Sequence, residues 1–495
     1  MIAEIPDLIA RKAALSPAAV ALEEVAGGRT LTYSELDRRA GAVAALLRER
    51  GVSEGDRVAI LCRNRIAFFE ALFGCAKLGA ILVPLNWRMP PAEIDQLIAD
   101  SSPAFLLYGA EDEFAAARLK SPPPLLGLDS DYERLIAEAA SGPTGPWRER
   151  WPADGIWYLL YTSGTTGRPK GVIYTYRMAI ANHVNVATAI DISSADTTAN
   201  FLPLFHTGGI NLHTLPTLIQ GGRVLILAGF DADILVGLFE ERRLDTFFAV
   251  PTVYQSLLDH PRFAGAPLDH VRHWGCGGAP LPDILAERCR ALGIRVCNGM
   301  GMTETGPTAF LDSPAELRIG SVGKPQLLCS VRIVDEAGED VAGGSVGDLL
   351  FGGPAVTPGY WNNPEATRAA FTEDGWLRSG DLARRDQDGF YYVVGRRKEM
   401  FISGGENVYP AEVENVLAAH PSVAEAAVLP RPDEKWGEVG RAYVLLANGA
   451  TPPAIDELEA HCRNLLAAYK VPRSFEFVAD FPRTAAGKVQ KHLLG

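Results

Sequence analysis

Tyr161-Thr162-Ser163-Gly164-Thr165-Thr166-Gly167-Arg168-Pro169-Lys170-Gly171 follows an apolar stretch, Ile156–Leu160, that reads as a strand. Glycines here let backbone N–H groups come close to an anion and take unusual φ values. Successive N–H groups of this kind form an anion-binding concavity. Thr162, Ser163, Thr165 and Thr166 add hydroxyl donors, and Lys170 adds a positive charge. A Walker loop needs Gly-x-x-x-x-Gly-Lys-Ser/Thr. In this chain Gly164 and Gly167 are three apart, Lys170 lies three after Gly167, and Gly171 follows it, so the spacing excludes that class. A plain surface turn needs only one or two special φ positions. It does not need four hydroxyls, three glycines and a lysine in eleven residues. The stretch is a phosphate-binding loop on a strand.

Outward from this loop the first half alternates helical and strand patterns. Tyr33–Glu49 is helical with Thr32 as its cap, and Arg57–Leu61, Ala104–Tyr108 and Val224–Leu227 read as short apolar strands. Such alternation predicts parallel sheets with helices on their faces. From Ser330 onward the texture changes to short strands, Val331–Val334, Gly347–Phe351 and Gly389–Val394, separated by Gly and Asp turns. This predicts a small β-rich subdomain over about 330–397. After Lys398 a helix (Tyr409–Ala418), strands (Val423–Leu429 and Ala442–Leu446) and a helix (Ile455–Ala468) suggest a compact α+β unit. The expected division is residues 1–397 and 398–495.

Bulk properties set limits. A chain of 495 residues exceeds one compact core. The net charge of −13 argues against nonspecific nucleic-acid binding. It leaves nucleotides open, because backbone dipoles and a few basic side chains hold phosphates locally. Seven cysteines without a Cys-x-x-Cys pair suggest neither a disulfide framework nor a zinc site. Reduced thiols and no secretory signal predict a cytoplasmic protein. Met1–Leu15 reads as a short amphipathic helix. Ile66–Leu85 is the most membrane-like stretch, but Glu70, Lys77 and Gly79 favour a buried helix (Ala67–Leu78) running into a strand (Ala80–Leu85), with no membrane span.

The loop is similar to the signature of the adenylate-forming superfamily, which includes acyl-CoA synthetases, aryl-CoA ligases, luciferases and peptide-synthetase adenylation domains. Further motifs follow in that family's order, so the resemblance runs from about Ala21 to Leu493. It implies an α/β fold: a large N-terminal domain of parallel-rich sheets with flanking helices and a β-rich subdomain, then a small mobile α+β domain.

The resemblance also implies roles. In Leu202-Pro203-Leu204-Phe205-His206-Thr207-Gly208-Gly209, His206 alone suits a structural or a functional part; the family position borders and gates the acyl pocket. Gly275-Cys276-Gly277-Gly278-Ala279-Pro280 resembles the segment lining that pocket and touching adenine, although an ordinary strand-to-helix turn fits the residues too. Asn298-Gly299-Met300-Gly301-Met302-Thr303-Glu304 supplies Thr303 for the α-phosphate and Glu304 for Mg²⁺; many relatives carry an aromatic residue at Met300. Asp381 matches the residue that accepts from both ribose hydroxyls, Arg396 one that contacts ribose and phosphate, and Lys398 the hinge. Ser403-Gly404-Gly405 and Trp436 resemble segments that meet coenzyme A, and Lys488 matches the main catalytic lysine of adenylation.

Together these imply an ATP-dependent acyl-CoA ligase using Mg²⁺ and coenzyme A. The alternatives are a stand-alone enzyme loading a carrier protein, and a binding protein on a decayed fold. The pocket candidates His206, Gly208, Ile210, Val250, Cys276, Gly277 and Met300 are small or apolar apart from the histidine, and offer no buried counter-charge. They predict a hydrophobic acid, either aromatic (benzoate or hydroxycinnamate type) or medium-chain fatty. A homodimer is compatible with the sequence, which does not state an oligomeric state.

Overall fold

The computed structural model describes residues 3–141, 147–162, 169–313, 316–447, 449–483 and 489–494. The described residues build two large sheets, a small antiparallel sheet and a separate C-terminal unit. The first large sheet runs Lys170–Thr175, Ile156–Thr162, Ile81–Pro84, Arg57–Leu61, Phe105–Tyr108, Leu125–Gly127. Its strands pair in parallel except the antiparallel pair Ile156–Thr162 and Lys170–Thr175, where Lys170 lies opposite Thr162. The second runs Lys324–Pro325, Gly306–Leu311, Val296–Met302, His273–Cys276, Thr246–Ala249, Thr197–Asn200, Arg223–Ile226, Val20–Glu24, Thr30–Thr32. Its centre is parallel.

Local chemistry explains the elements. Helix Tyr33–Glu49 starts with a capping box: Thr32 Oγ1 accepts from Glu35 N–H, and Glu35 accepts from Thr32 N–H at 2.8 Å. Helix Ile66–Leu78 is buried almost throughout, and its two charges are both partnered. Glu70, wholly buried, accepts from Arg39 at 2.5 Å and from the Tyr132 hydroxyl at 2.6 Å. Lys77 donates to Asp7 and Asp37, both at 2.6 Å. A buried charge is tolerable only when paired in this way. Among the described residues no helix is long and apolar enough to cross a membrane.

Boundaries differ from the sequence reading near both ends of the chain. The N-terminus is not one helix: Glu4–Pro6 is a strand paired with Arg150–Pro152. The helix begins only at Leu8, where the Asp7 side chain accepts from Ala10 N–H at 3.0 Å and fixes the cap. The last helix is Ile455–Leu465, three residues short of the expected end; Leu466 turns extended and packs into the C-terminal core.

The expected β-rich subdomain is the antiparallel sheet Ser330–Val334, Gly347–Gly352, Leu377–Arg385, Tyr391–Arg396. Its apolar face packs on Phe310 and Ala309 of the second large sheet. The C-terminal unit has its own core, with Phe401, Val413, Leu417, Val444 and Leu458 inside.

Candidate active site

The carboxyl ends of parallel strands are where α/β sheets present ligand-binding loops. Here Thr197–Asn200, Thr246–Ala249 and His273–Cys276 end side by side and lead to His206, Val250 and Gly277. His206 stands at the N-terminus of the short helix Thr207–Asn211. Gly208 is half-buried beside Leu212 and Leu202. Gly278, Ala279 and Pro280 lie exposed at the rim, with Gly278 at φ +82°. A Cβ on Gly277 would come within 2.9 Å of Gly299 O, so this glycine permits close backbone approach. Ile210 and Cys276 have no exposed surface and pack into the two large cores behind this wall.

Beside the wall, Val296–Met302 runs into a 3₁₀ turn, Thr303–Thr305. Asn298 donates its side-chain N–H to Ser321 O at 2.8 Å. Gly299 has Phe310 O 2.9 Å from where its Cβ would be, and Met300 packs against the cluster of Phe310 and Tyr391. Gly301 is glycine for packing: a Cβ there would sit 2.3 Å from the Pro307 backbone. Thr303 and Glu304 are buried.

The sequence reading missed what holds Glu304. Tyr360 donates its hydroxyl to Glu304 Oε1 at 2.9 Å, and Lys170 Nζ lies 5.0 Å from the centre of the Tyr360 ring. Burial, with the Glu304 carboxylate close by, raises the Tyr360 hydroxyl above its ordinary pKa. The segment carrying Tyr360 is sewn to the loop strand and to the turn: Trp361 N–H donates to Gly171 O at 2.7 Å, and Thr357 N–H to Glu304 O at 2.7 Å. Thus Lys170, Tyr360 and Glu304 form one series. Thr162 ends the strand before the loop. Ser163, Gly164, Thr165, Thr166 and Gly167 lie outside the described residues, as does Lys488.

Asp381 lies opposite Arg396 on neighbouring strands, and Arg396 Nε is 2.7 Å from Asp381 Oδ1. The carboxylate is nearly buried while the arginine is half exposed. Ser379 Oγ accepts from Asp381 N–H at 3.0 Å and donates to Leu349 O at 2.7 Å, which fixes the turn.

Residues 9–361 match the family described as AMP-binding enzyme, and residues 412–488 match the AMP-binding enzyme C-terminal domain. The chain belongs to the AMP-binding enzyme family. This AMP-binding enzyme is 42% identical over 97% of its length, and 96% of the relative's, to a feruloyl-CoA synthase from Amycolatopsis sp. ATP-bound MatB from Rhodopseudomonas palustris superposes with a TM-score of 0.90 at 32% identity, covering 99% of this chain and 98% of that one. The o-succinylbenzoate coenzyme A synthetase MenE from Bacillus subtilis, in complex with ATP and magnesium, does so at 0.87 and 32%, covering 99% of each.

In the C-terminal unit of this AMP-binding enzyme, Lys398 sits in an exposed turn after the last strand of the small sheet. Gly404 takes φ +62° and donates its N–H to Trp436 O at 2.9 Å; a Cβ on it would lie 2.7 Å from the Trp436 ring. Ser403 is buried beneath, and Gly405 also takes positive φ. The tail that carries Lys488 is fastened on both sides. Arg483 pairs with Glu425, and Lys491 reaches Glu399 at 2.6 Å and Glu414 at 2.8 Å. Sequence reasoning missed Lys491 and Asp312 as well. Asp312 N–H donates to Asn298 O at 2.9 Å, and burial pushes its carboxyl up to about 7.

Proposed function

We propose that the acid activated by this ATP-dependent, AMP-forming carboxylic acid–CoA ligase is aromatic, of benzoate or hydroxycinnamate type. The observation that carries the reading is the wall between helix Thr207–Asn211, strand Thr246–Ala249 and the segment 273–280. It is built of glycines, Phe248, Val250 and buried histidines, and those segments contain no Lys, Arg, Asp or Glu to hold a second charge. A glycine-lined wall suits a flat ring, and the feruloyl-CoA synthase at 42% identity supports it. A medium-chain fatty acid is the rival.

The chemistry follows from charge. A carboxylate attacking the α-phosphate brings two anions together, so alignment and neutralisation matter more than a protein nucleophile. Lys170, Thr303, the hydroxyls and N–H groups of residues 162–167, and Lys488 would supply the positive field. Glu304 is a hard oxygen ligand oriented by Tyr360, and its second oxygen suits Mg²⁺, which would neutralise phosphate charge when bound. Asp381 would accept the ribose hydroxyls beside Arg396. Residues 398–495 would then turn about Lys398, withdrawing Lys488 and bringing Ser403, Gly404, Gly405 and Trp436 towards the acyl-adenylate. The coenzyme A thiol attacks the acyl carbonyl and AMP leaves. Six buried cysteines suit a reducing, cytoplasmic setting.

Pyrophosphate release over a panel of acids, with and without coenzyme A, tests the reading. Aryl acids are expected to be used in preference to octanoate, with AMP and aryl-CoA as products. Preference for octanoate, or turnover with a carrier protein but not coenzyme A, overturns it. Lys488→Ala is expected to abolish acyl-AMP formation and spare thioester formation from supplied acyl-AMP; equal loss in both steps refutes the role given to Lys488.

A further inference from the structure

We propose that His213 and His273 form a neutral hydrogen-bonding floor at the far end of the acid site and select an aryl acid carrying a ring hydroxyl. The inference rests on the assignment of this wall to the acid and deepens it. Strand His273–Cys276 alternates: Trp274 and Cys276 face the apolar core, while His273, Gly275 and the following Gly277 share the opposite face. On the neighbouring strand Thr246 lies opposite His273, and Phe248 opposite Gly275.

A Cβ on Gly275 would lie 3.1 Å from His273 Nε2 and 2.7 Å from Phe248 Cδ2, and one on Gly277 3.3 Å from Phe248 Cζ, so that nitrogen sits over Gly275 and the Phe248 ring lies along the face between it and Gly277. His213, two residues past helix Thr207–Asn211, closes the same space: its ring centre is 5.7 Å from that of His273 and 5.7 Å from that of Phe248. From Gly277 back to His273 the strand spans about 13 Å, a depth that suits a ring at the end of a short arm.

Both histidines are buried, at 5% and 3% exposure. Among the described residues, His213 Nδ1, His273 Nε2 and the neighbouring Thr246 Oγ1 have no hydrogen-bond partner. Three such atoms at one spot are unusual, because buried polar groups are nearly always satisfied. Burial lowers the pKa of His213 to about 3, and that of His273 well below its ordinary value. Each ring is therefore a neutral imidazole with one donor and one acceptor nitrogen. Such a pair recognises a hydroxyl, which both gives and takes a hydrogen bond. It does not neutralise a second carboxylate, and an aliphatic chain end would leave the nitrogens unpaired. Sites built to bond a substrate hydroxyl reject the analogue lacking it far more strongly than apolar pockets reject an extra group.

The test compares 4-hydroxycinnamate with cinnamate by pyrophosphate release at saturating ATP and coenzyme A, with octanoate as a third acid. The wild type is expected to show kcat/KM at least about tenfold higher for 4-hydroxycinnamate. In His213→Phe and His273→Phe the ratio is expected to fall to within about threefold of one, because the loss falls on the hydroxylated acid. A wild-type ratio near one, or a ratio that persists in both variants, overturns the proposal. If a Phe variant does not fold, His213→Asn and His273→Gln are scored by the same ratio. If only octanoate is turned over, the aryl reading itself has failed, and the floor proposal with it.

Discussion

The Tyr360 hydroxyl lies 2.9 Å from Glu304 Oε1, and Lys170 Nζ lies over the same ring, 5.0 Å from its centre. A cation from the start of strand Lys170–Thr175 and a carboxylate from the Thr303–Thr305 turn are thereby set beside one aromatic side chain. Hydrogen bonds to charged groups contribute about 1.5–3 kcal/mol. Tyr360→Phe should therefore raise the Mg²⁺ concentration for half-maximal pyrophosphate release by about tenfold. Glu304→Gln should cost at least about a hundredfold in rate. A Mg²⁺ titration of the three proteins decides this, and an unchanged midpoint in Tyr360→Phe would show that the bond orients nothing.

Asp381 and Arg396 are paired across two strands, so removing either takes a charged partner from the other. Asp381→Asn should raise the KM for ATP by about tenfold. Arg396→Gln should act less, since its side chain is half exposed and its pairing is screened. The double variant should fall short of the summed effects, as contacting residues do. A double-mutant cycle on the KM for ATP measures the coupling; strict additivity would mean the pair does not act as a unit.

Gly404 combines left-handed backbone with a ring where a Cβ would stand. Gly404→Ala meets both obstacles, and left-handed geometry alone costs a non-glycine residue about 1–2 kcal/mol. The loop must then move off Trp436. Thioester formation from supplied acyl-AMP should slow at least about tenfold, with acyl-AMP formation held within about threefold. Equal slowing of both half-reactions would contradict a role confined to the second.

Asp312 gives a pH signature. Its folded-state pKa is raised to about 7 by burial, so the folded protein holds this proton more tightly than the unfolded chain. The ionised side chain subtracts stability progressively as pH rises from about 4 to about 7, and fully above that. Asp312→Asn keeps the shape and removes the charge. Its melting temperature should exceed the wild type's at about pH 8, with the gain shrinking towards about pH 5. A constant difference across that range would mean Asp312 does not titrate in the fold.

Helix Tyr33–Glu49 was legible to the residue because its start is written locally, in Thr32 and Glu35. The strand Glu4–Pro6 was not, because its partner Arg150–Pro152 lies far along the chain. The strand read as ending at Leu429 runs on to Asp433 despite Pro430 and Pro432. It is the edge of its sheet, where a missing N–H need face no neighbour. In the site, Glu304, Asp381 and Arg396 stood out as members of motifs. Tyr360 did not, since its part arises only when three separate segments meet. His273 looks like an ordinary core histidine until the sheet register puts it on the same face as Gly275, and His213 until its ring centre is found 5.7 Å from that of His273.

Lys491 joins the tail to Glu399, the residue next to Lys398, and to Glu414 on the following helix. In mechanical terms this makes a crank with a single bearing. A rotation at Lys398 would carry Lys491 with it, because Lys491 is paired to the residue next to the joint. If residues 398–495 turn about Lys398 as proposed, Lys491 would turn with Glu399 and Glu414, and the two half-reactions would be two stops of the same crank.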